Sequence, residues 1–215
     1  MNRNPVRTLS ACAALFAAAA AHANLLSNGS FESGNFSPPS NATMSLAAGS
    51  TAIDSWLVNA DVLAWIGTGN PWNLTANEGA RFLDLTDYSF GAPFGGVSQT
   101  IATMAGATYK LSFDLGSSTQ WGRPSAVQAS AAGTLATFAS PSTGGNNQWQ
   151  NVSMEFVATA STTTISLRGA TGQNYIGLDN ADVEFVRGVP EPGTMVLSLI
   201  GLGGLVAARR FRPGD

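Results

Sequence analysis

The sequence holds one cysteine and one histidine among its 215 residues, Cys12 and His22, and both lie near the N-terminus. Beyond residue 23 the chain therefore has no disulfide, although disulfides are common in exported proteins. It also has no cysteine nucleophile and no Ser-His-Asp triad there. Zinc and copper lack their usual ligands, so oxygen ligands remain, and they favour calcium.

Charged side chains are scarce as well, at 11% of the sequence. Residues 24–187 hold five basic and eleven acidic side chains, which gives this segment a net charge of −6. It lacks the basic surface that nucleic acids and anionic lipids require, so we expect no nucleic-acid partner. An acidic exported domain suits solubility, or the binding of neutral sugars or cations.

Residues 1–23 have the pattern of a secretory signal peptide. Arg3 and Arg7 form a basic start, Leu9–Ala21 is apolar, and the end of the segment, Ala-His-Ala, fits the small-x-small rule for cleavage. We expect export across the inner membrane and a mature chain that begins at Asn24.

Residues 188–215 contain three parts in order: a Pro-Glu-Pro triplet, an uncharged run from Gly193 to Ala208, and an arginine cluster. The run has 16 residues, whereas a membrane-spanning helix needs about 20. One interpretation is a minimal single-pass anchor with its arginines on the cytoplasmic side.

The same three parts resemble the PEP-CTERM sorting signal of Gram-negative bacteria. The resemblance implies that exosortase, a membrane protease, recognises the triplet and removes the tail, so the transmembrane helix is a transient anchor. It also implies placement at the cell surface or in the exopolysaccharide matrix. The sorting-signal residues are then Pro190, Glu191, Pro192, Arg209 and Arg210.

Residues 24–187 show short runs rich in Val, Ile, Thr, Phe and Tyr, separated by Gly, Asn, Pro and Ser. The clearest run is Thr108–Leu115, which alternates apolar and polar residues. The pattern predicts an all-β domain, a single jelly-roll-like antiparallel sandwich. Ser33–Thr51 is predicted to be a connection, and Gln120–Gln148 has no predicted strand. The other predicted strands are Leu25–Phe31, Ile53–Val58, Val62–Ile66, Arg81–Thr86, Gly96–Thr103, Trp149–Ala158, Thr162–Ala170 and Ile176–Val186.

The segment NLLSNGSFESG, Asn24–Gly34, resembles the opening of galactose-binding-like jelly rolls, which include many carbohydrate-binding modules. With GARFLDLT, GGVSQTIATMAGATYKLSFDL and IGLDNADVEFV in this order, the domain resembles the choice-of-anchor C group. That group is related to a domain-of-unknown-function family also found in plant cell walls. The resemblance implies a β-sandwich and surface placement. It implies carbohydrate binding only through the fold, because a fold does not fix a function.

Similar jelly rolls hold a structural calcium between the loop after the first strand and the last strand. The matching residues here are Glu32 and Asp179, and carboxylate oxygens suit Ca²⁺. Such an ion would stabilise a chain that has no disulfides. The alternative is that Glu32 caps a turn and Asp179 accepts hydrogen bonds from local backbone amides.

Five tryptophans lie in the domain. Trp56 and Trp149 lie in predicted strands, and we expect both in the core. We do not assign Trp65 to the core, and we group it with the two loop tryptophans.

The loop tryptophans are Trp72 and Trp121, and both occur in polar, turn-like sequence. A flat indole can stack against a sugar ring while polar neighbours bond its hydroxyl groups. Trp121 with Arg123, or Trp72 with Asn70 and Asn73, would form such a carbohydrate-binding platform. The alternative is that each indole folds back over its own loop.

Asp84 and Asp87 flank a predicted strand end. One interpretation is that they are hydroxyl acceptors or form a second cation site. The alternative is a turn held by Asx hydrogen bonds. A glycosidase needs two carboxylates about 5–10 Å apart, and no motif selects a pair. The sequence thus predicts a non-catalytic surface protein that binds extracellular polysaccharide. The alternative is a structural matrix or adhesion protein with no defined glycan pocket.

Overall fold

The structure, a computed structural model, describes residues 23–121, 124–140 and 145–188. Residues 1–22 of the predicted signal peptide, the sorting-signal residues and Arg123 lie outside the described residues. The described chain forms two antiparallel sheets, which confirms the all-β sandwich. The strands are β1 (Thr43–Leu46), β2 (Leu57–Ala60), β3 (Leu63–Gly67), β4 (Arg81–Asp84), β5 (Gly96–Ala102), β6 (Thr108–Ser117), β7 (Ala126–Ala131), β8 (Thr134–Ala139), β9 (Gln148–Val157), β10 (Thr162–Thr171) and β11 (Gly177–Arg187).

The main apolar core lies between the two sheets. The six-stranded sheet has the order β1-β3-β4-β11-β6-β9, and the five-stranded sheet has the order β2-β5-β10-β7-β8. Side chains alternate between the two faces of a strand, so Leu111 and Phe113 of β6 enter the core with Val97 and Leu167 from the opposite sheet. The alternation read from Thr108–Leu115 is therefore confirmed.

The predicted first strand, Leu25–Phe31, is wrong. The chain bends there because Asn28 and Phe31 take positive φ angles of 55° and 57°. The bent segment still docks beside β11, since the Leu25 N–H donates to the Val183 carbonyl at 2.8 Å. It therefore lies beside β11 past the end of the β4 pairing, without becoming a regular strand.

Two buried indoles hold this bend in place. Trp56 Nε1 donates to the Asn28 carbonyl at 2.9 Å, and Trp65 Nε1 donates to the Phe31 carbonyl at 3.0 Å. Phe31 is itself fully buried, with its ring centroid 5.2 Å from that of Trp56. Trp56 is in the core as predicted, and so is Trp65, which the sequence had set apart from the core residues.

Three strands were missed in the sequence. β1 lies within the predicted connection Ser33–Thr51, and β7 and β8 lie within Gln120–Gln148. β7 and β8 form a hairpin whose two-residue turn has positive φ at both positions, 50° at Ala132 and 83° at Gly133. Such a turn matches the twist of the strands it joins.

Residues 24–188 contain the eleven described strands and the core that these strands enclose. The segment therefore has what a domain needs to fold alone. Within the described ranges, no helix is long and apolar enough to cross a bilayer.

Candidate functional site

A second apolar cluster lies on the outer face of the six-stranded sheet. Ala64, Ile66 and Phe82 point away from the sandwich core, because their strand neighbours point into it. Tyr175 and Leu74 complete the buried part of this cluster. Four half-buried aromatic residues pack over it: Trp72, Tyr88, Trp121 and Trp149.

Trp149 had been expected in the core, and that prediction is wrong. Its indole covers the outer face of the sheet, where it contacts Phe82 edge-on at 5.8 Å. Its Nε1 donates to the Thr75 carbonyl at 3.0 Å. Trp149 therefore holds the loop between β3 and β4 against the sheet.

The buried side chain of Asn70 shapes the same loop. Its amide nitrogen donates to the Gly67 and Leu74 carbonyls, at 3.1 and 2.7 Å. Its amide oxygen accepts from the Trp72 and Leu74 N–H groups, at 3.3 and 3.2 Å. The polar atoms of Asn70 therefore face its own loop, and its role as a sugar ligand stays a prediction.

Trp72 and Trp121 meet at one cavity, although 49 residues separate them. Trp121 Nε1 donates to the Trp72 carbonyl at 3.1 Å. The Trp72 ring stacks on Tyr88, with 4.8 Å between centroids and 26° between planes. Each indole thus contacts a neighbouring loop with one part and lines the cavity with another. The cavity has a volume of about 260 Å³ and is lined by Trp72, Leu74, Asp84, Tyr88, Trp121 and Asn174.

The fully buried carboxylate of Asp84 lines this cavity. It accepts hydrogen bonds from the N–H groups of Thr86 at 3.0 Å, Tyr88 at 3.3 Å and Ile176 at 2.9 Å. The Asx turn that the sequence left open is therefore present, and it also fixes the strand end to Ile176. Burial raises the pKa of Asp84 to about 6, because lost hydration outweighs these hydrogen bonds.

Glu32 and Asp179 hold opposite ends of one turn. Asp179 Oδ2 accepts from the N–H groups of Asn77 and Glu78, at 2.8 and 2.9 Å. Glu32 Oε1 accepts from the N–H groups of residues 80 and 81, at 2.8 and 2.6 Å. Both carboxylates therefore act as caps for the segment 77–81, the alternative that the sequence left open.

This turn offers few oxygen ligands for calcium. The Arg81 guanidinium already lies 3.8 Å from Glu32 Oε2. Among the described residues, no three Asp, Glu, His or Cys side chains gather into a possible metal group, whereas calcium takes about 6–8 oxygen ligands. Calcium binding by Glu32 and Asp179 stays a prediction.

The buried carboxylates predict a pH-dependent stability. Burial raises the pKa of Asp179 to about 7 and that of Asp84 to about 6, from an ordinary value of 3.8. The folded chain holds these protons more tightly than the unfolded chain, so both groups contribute most stability below about pH 4, and this contribution is lost as the pH rises to about 7. Each group lowers the free energy of unfolding by at most about 1.4 kcal/mol per pH unit.

We expect the melting temperature of residues 24–188 to fall across this window. Asp179→Asn keeps the shape of the side chain and removes its titration, so the fall should become shallower in this variant. The control is Asp54→Asn, which alters an exposed carboxylate. An unchanged slope in Asp179→Asn would contradict the raised pKa.

Sequence reasoning missed Tyr88, Leu74 and Asn174. Tyr88 had a usable signal, since it is an aromatic residue in a polar turn, as Trp72 is. Leu74 and Asn174 had none, because only the fold brings their loops to the cavity.

Comparison with known proteins gives structural similarities of low sequence identity. No curated protein matches the sequence significantly. A CBM61 structure described as a complex with beta-1,4-galactotriose is 20% identical, with 76% of this chain and 99% of that chain covered and a TM-score of 0.48. The CBM22-1 xylan-binding domain of Paenibacillus barcinonensis is 12% identical, with 68% and 94% covered and a TM-score of 0.43. At these values no ligand contact can be carried over to this chain.

Two family profiles match the sequence. Residues 188–212 match the PEP-CTERM protein-sorting motif, which confirms the predicted sorting signal and indicates an exported surface protein. Residues 24–176 match the family described as "Protein of unknown function (DUF642)", and this match covers more than half of the chain. The chain therefore belongs to the DUF642 family and carries a PEP-CTERM sorting motif.

Proposed function

We propose that the sandwich domain binds extracellular polysaccharide, without catalysis, at the cavity between Trp72 and Trp121. The observation that carries this proposal is the convergence of three aromatic rings with the polar groups of Asp84 and Asn174. Sugar rings present apolar C–H faces and a rim of hydroxyl groups. Flat aromatic walls with a few polar groups match both.

The size and charge of the cavity limit the ligand. Its volume of about 260 Å³ lies just below the about 300–1,000 Å³ of pockets that bury a drug-sized molecule. One sugar ring fits better than a long oligosaccharide. The described lining holds one carboxylate, Asp84, and its charge favours a neutral sugar over an acidic one.

The lining also supports a non-catalytic role. Glycoside hydrolysis uses two carboxylates about 5–10 Å apart on either side of the bond. Among the described lining residues only Asp84 is acidic. Its oxygens accept backbone N–H groups that shape the loop, which makes Asp84 a positioning residue.

Affinity electrophoresis tests this proposal. Residues 24–188 run through gels that contain the host exopolysaccharide or neutral polysaccharides, with and without calcium. We expect retardation in at least one gel, and Trp121→Ala and Trp72→Ala to weaken binding at least about tenfold, which corresponds to about 1.4 kcal/mol.

The control is Leu57→Ala, which removes an exposed apolar side chain on the opposite sheet. Melting curves show whether each variant is folded. If no polymer retards the folded domain, the proposal fails and a structural matrix or adhesion role becomes the better explanation. The half-burial of both indoles over the outer face of the six-stranded sheet is the observation that favours this second role.

The sorting motif supports a proposal for processing. Exosortase recognises Pro190-Glu191-Pro192, and the apolar run with Arg209 and Arg210 anchors the chain in the membrane only until the tail is cut. The protein then stays at the surface of a Gram-negative cell or in its matrix. We expect Glu191→Ala to leave the full-length form in immunoblots of host membranes, and an unchanged pattern of cleavage would contradict recognition of the triplet.

A further inference from the structure

β8 is an outer strand of the five-stranded sheet, and within the described ranges it pairs only with β7. In a hairpin with a two-residue turn, the residues that flank the turn form a hydrogen-bonded pair, here Ala131 and Thr134. The bonding direction alternates along the strand. Leu135, Thr137 and Ala139 therefore direct their backbone N–H and C=O groups away from β7, toward the free edge. Their side chains are also the exposed ones.

This edge lacks the features that prevent strands from pairing between molecules. Natural edge strands are short, or carry charge, proline or a bulge. β1 and β2 have four residues each, and β9 carries Glu155, which lies 3.8 Å from Arg187. β8 has six residues and no charge, proline or glycine, and Leu135 is 62% exposed. Residues 124–154 contain no charged side chain at all.

The charge of the domain indicates what can cover this edge. Residues 24–187 carry a net charge of −6, so two copies repel each other over most of their surface. The uncharged hairpin adds no charge of its own to this repulsion. An edge strand can also pair with itself, because an antiparallel arrangement about a two-fold axis satisfies the same backbone groups on both copies.

We propose that two copies of this chain associate through β8. Thr137 faces Thr137 of the second copy, and Leu135 faces its Ala139. The two five-stranded sheets become one continuous sheet. This pairing uses the opposite sheet from the aromatic cavity, so it does not depend on the proposed carbohydrate binding.

Sedimentation velocity of residues 24–188 over a micromolar concentration series tests the association. We expect a reversible monomer–dimer equilibrium that tightens with added salt, because salt screens the repulsion between acidic domains. Thr137→Lys places like charges opposite each other, and Thr137→Pro removes an outward N–H, so each should weaken the dimer at least about tenfold. The N–H of Thr137 is not used by β7, so Thr137→Pro should remain folded in a melting curve.

Thr162→Lys is the matched control, since it adds the same charge at an exposed threonine of β10 rather than at the β8 edge. A second readout uses the lack of cysteine beyond Cys12. A single Thr137→Cys substitution should give disulfide-linked dimers on mild oxidation, and Thr162→Cys should not. The proposal is overturned if the folded domain is monomeric at all concentrations and salt levels, if Thr137→Lys dimerises like Thr162→Lys, or if both cysteine variants cross-link equally.

Discussion

Replacement of Gly29 by alanine is expected to destabilise the domain by at least about 3 kcal/mol. An added Cβ would lie 1.9 Å from the backbone carbonyl oxygen of Ala181. This carbonyl cannot move aside easily, because the Ala181 N–H donates to the Gly29 carbonyl at 2.8 Å and the Ala181 side chain is fully buried. The bent segment must therefore separate from β11, with loss of its backbone hydrogen bonds.

The measurement is thermal melting of residues 24–188. A loss of about 3 kcal/mol corresponds to a melting temperature lower by roughly 6–12 °C for a domain of this size. Gly91→Ala is the control, because nothing lies within 4 Å of its added Cβ, and its effect should stay within about 0.5 kcal/mol. Equal melting of the two variants would contradict the docking of the bent segment on β11.

The strands that the sequence predicted well are those with large alternating side chains. In β6 the residues Tyr109, Leu111 and Phe113 alternate with polar residues, and the predicted and observed starts coincide at Thr108. β7 and β8 alternate as well, but mostly between Ala, Ser and Thr. Small side chains give little contrast between faces, so these strands are recognised by pairing, β7 with β10 and β8 with β7, and not by their sequence pattern.

The predicted first strand failed for a different reason. Phe31 belongs to a residue type that favours strands, yet it takes a positive φ. Its buried ring and the indole N–H that binds its carbonyl hold this conformation. Such contacts come from Trp65, 34 residues away, and no local pattern contains them.

The sequence predicted individual residues of the candidate site but not how the fold brings them together. Trp72 and Trp121 were selected by their polar surroundings, as two separate platforms, and the structure joins them in one cavity. Glu32 and Asp179 were selected through a family resemblance, and the structure joins them through the backbone of residues 77–81. In both cases the sequence identifies the side chains, and the loop between β3 and β4 determines what they contact.

Replacement of Trp65 by alanine is expected to cost more than that of any loop tryptophan. Trp65 is fully buried, and its ring contacts Phe36 edge-on at 4.9 Å. Loss of a large buried aromatic side chain costs about 3–5 kcal/mol. The buried Phe31 carbonyl also loses its donor at 3.0 Å, which adds about 1–3 kcal/mol. Since total stabilities are about 5–15 kcal/mol, urea unfolding should show a domain that is only marginally folded.

Two further variants separate volume from hydrogen bonding. Trp65→Phe keeps an aromatic ring and removes the N–H, so we expect a loss of about 1–3 kcal/mol from the unpaired Phe31 carbonyl. Trp72→Ala removes a half-buried indole and should cost less than Trp65→Ala. If Trp65→Phe unfolded at the urea concentration of the unmodified domain, the indole–carbonyl bond would contribute nothing to stability. If it lost as much as Trp65→Ala, the bond to the bent segment would matter more than the volume of the ring.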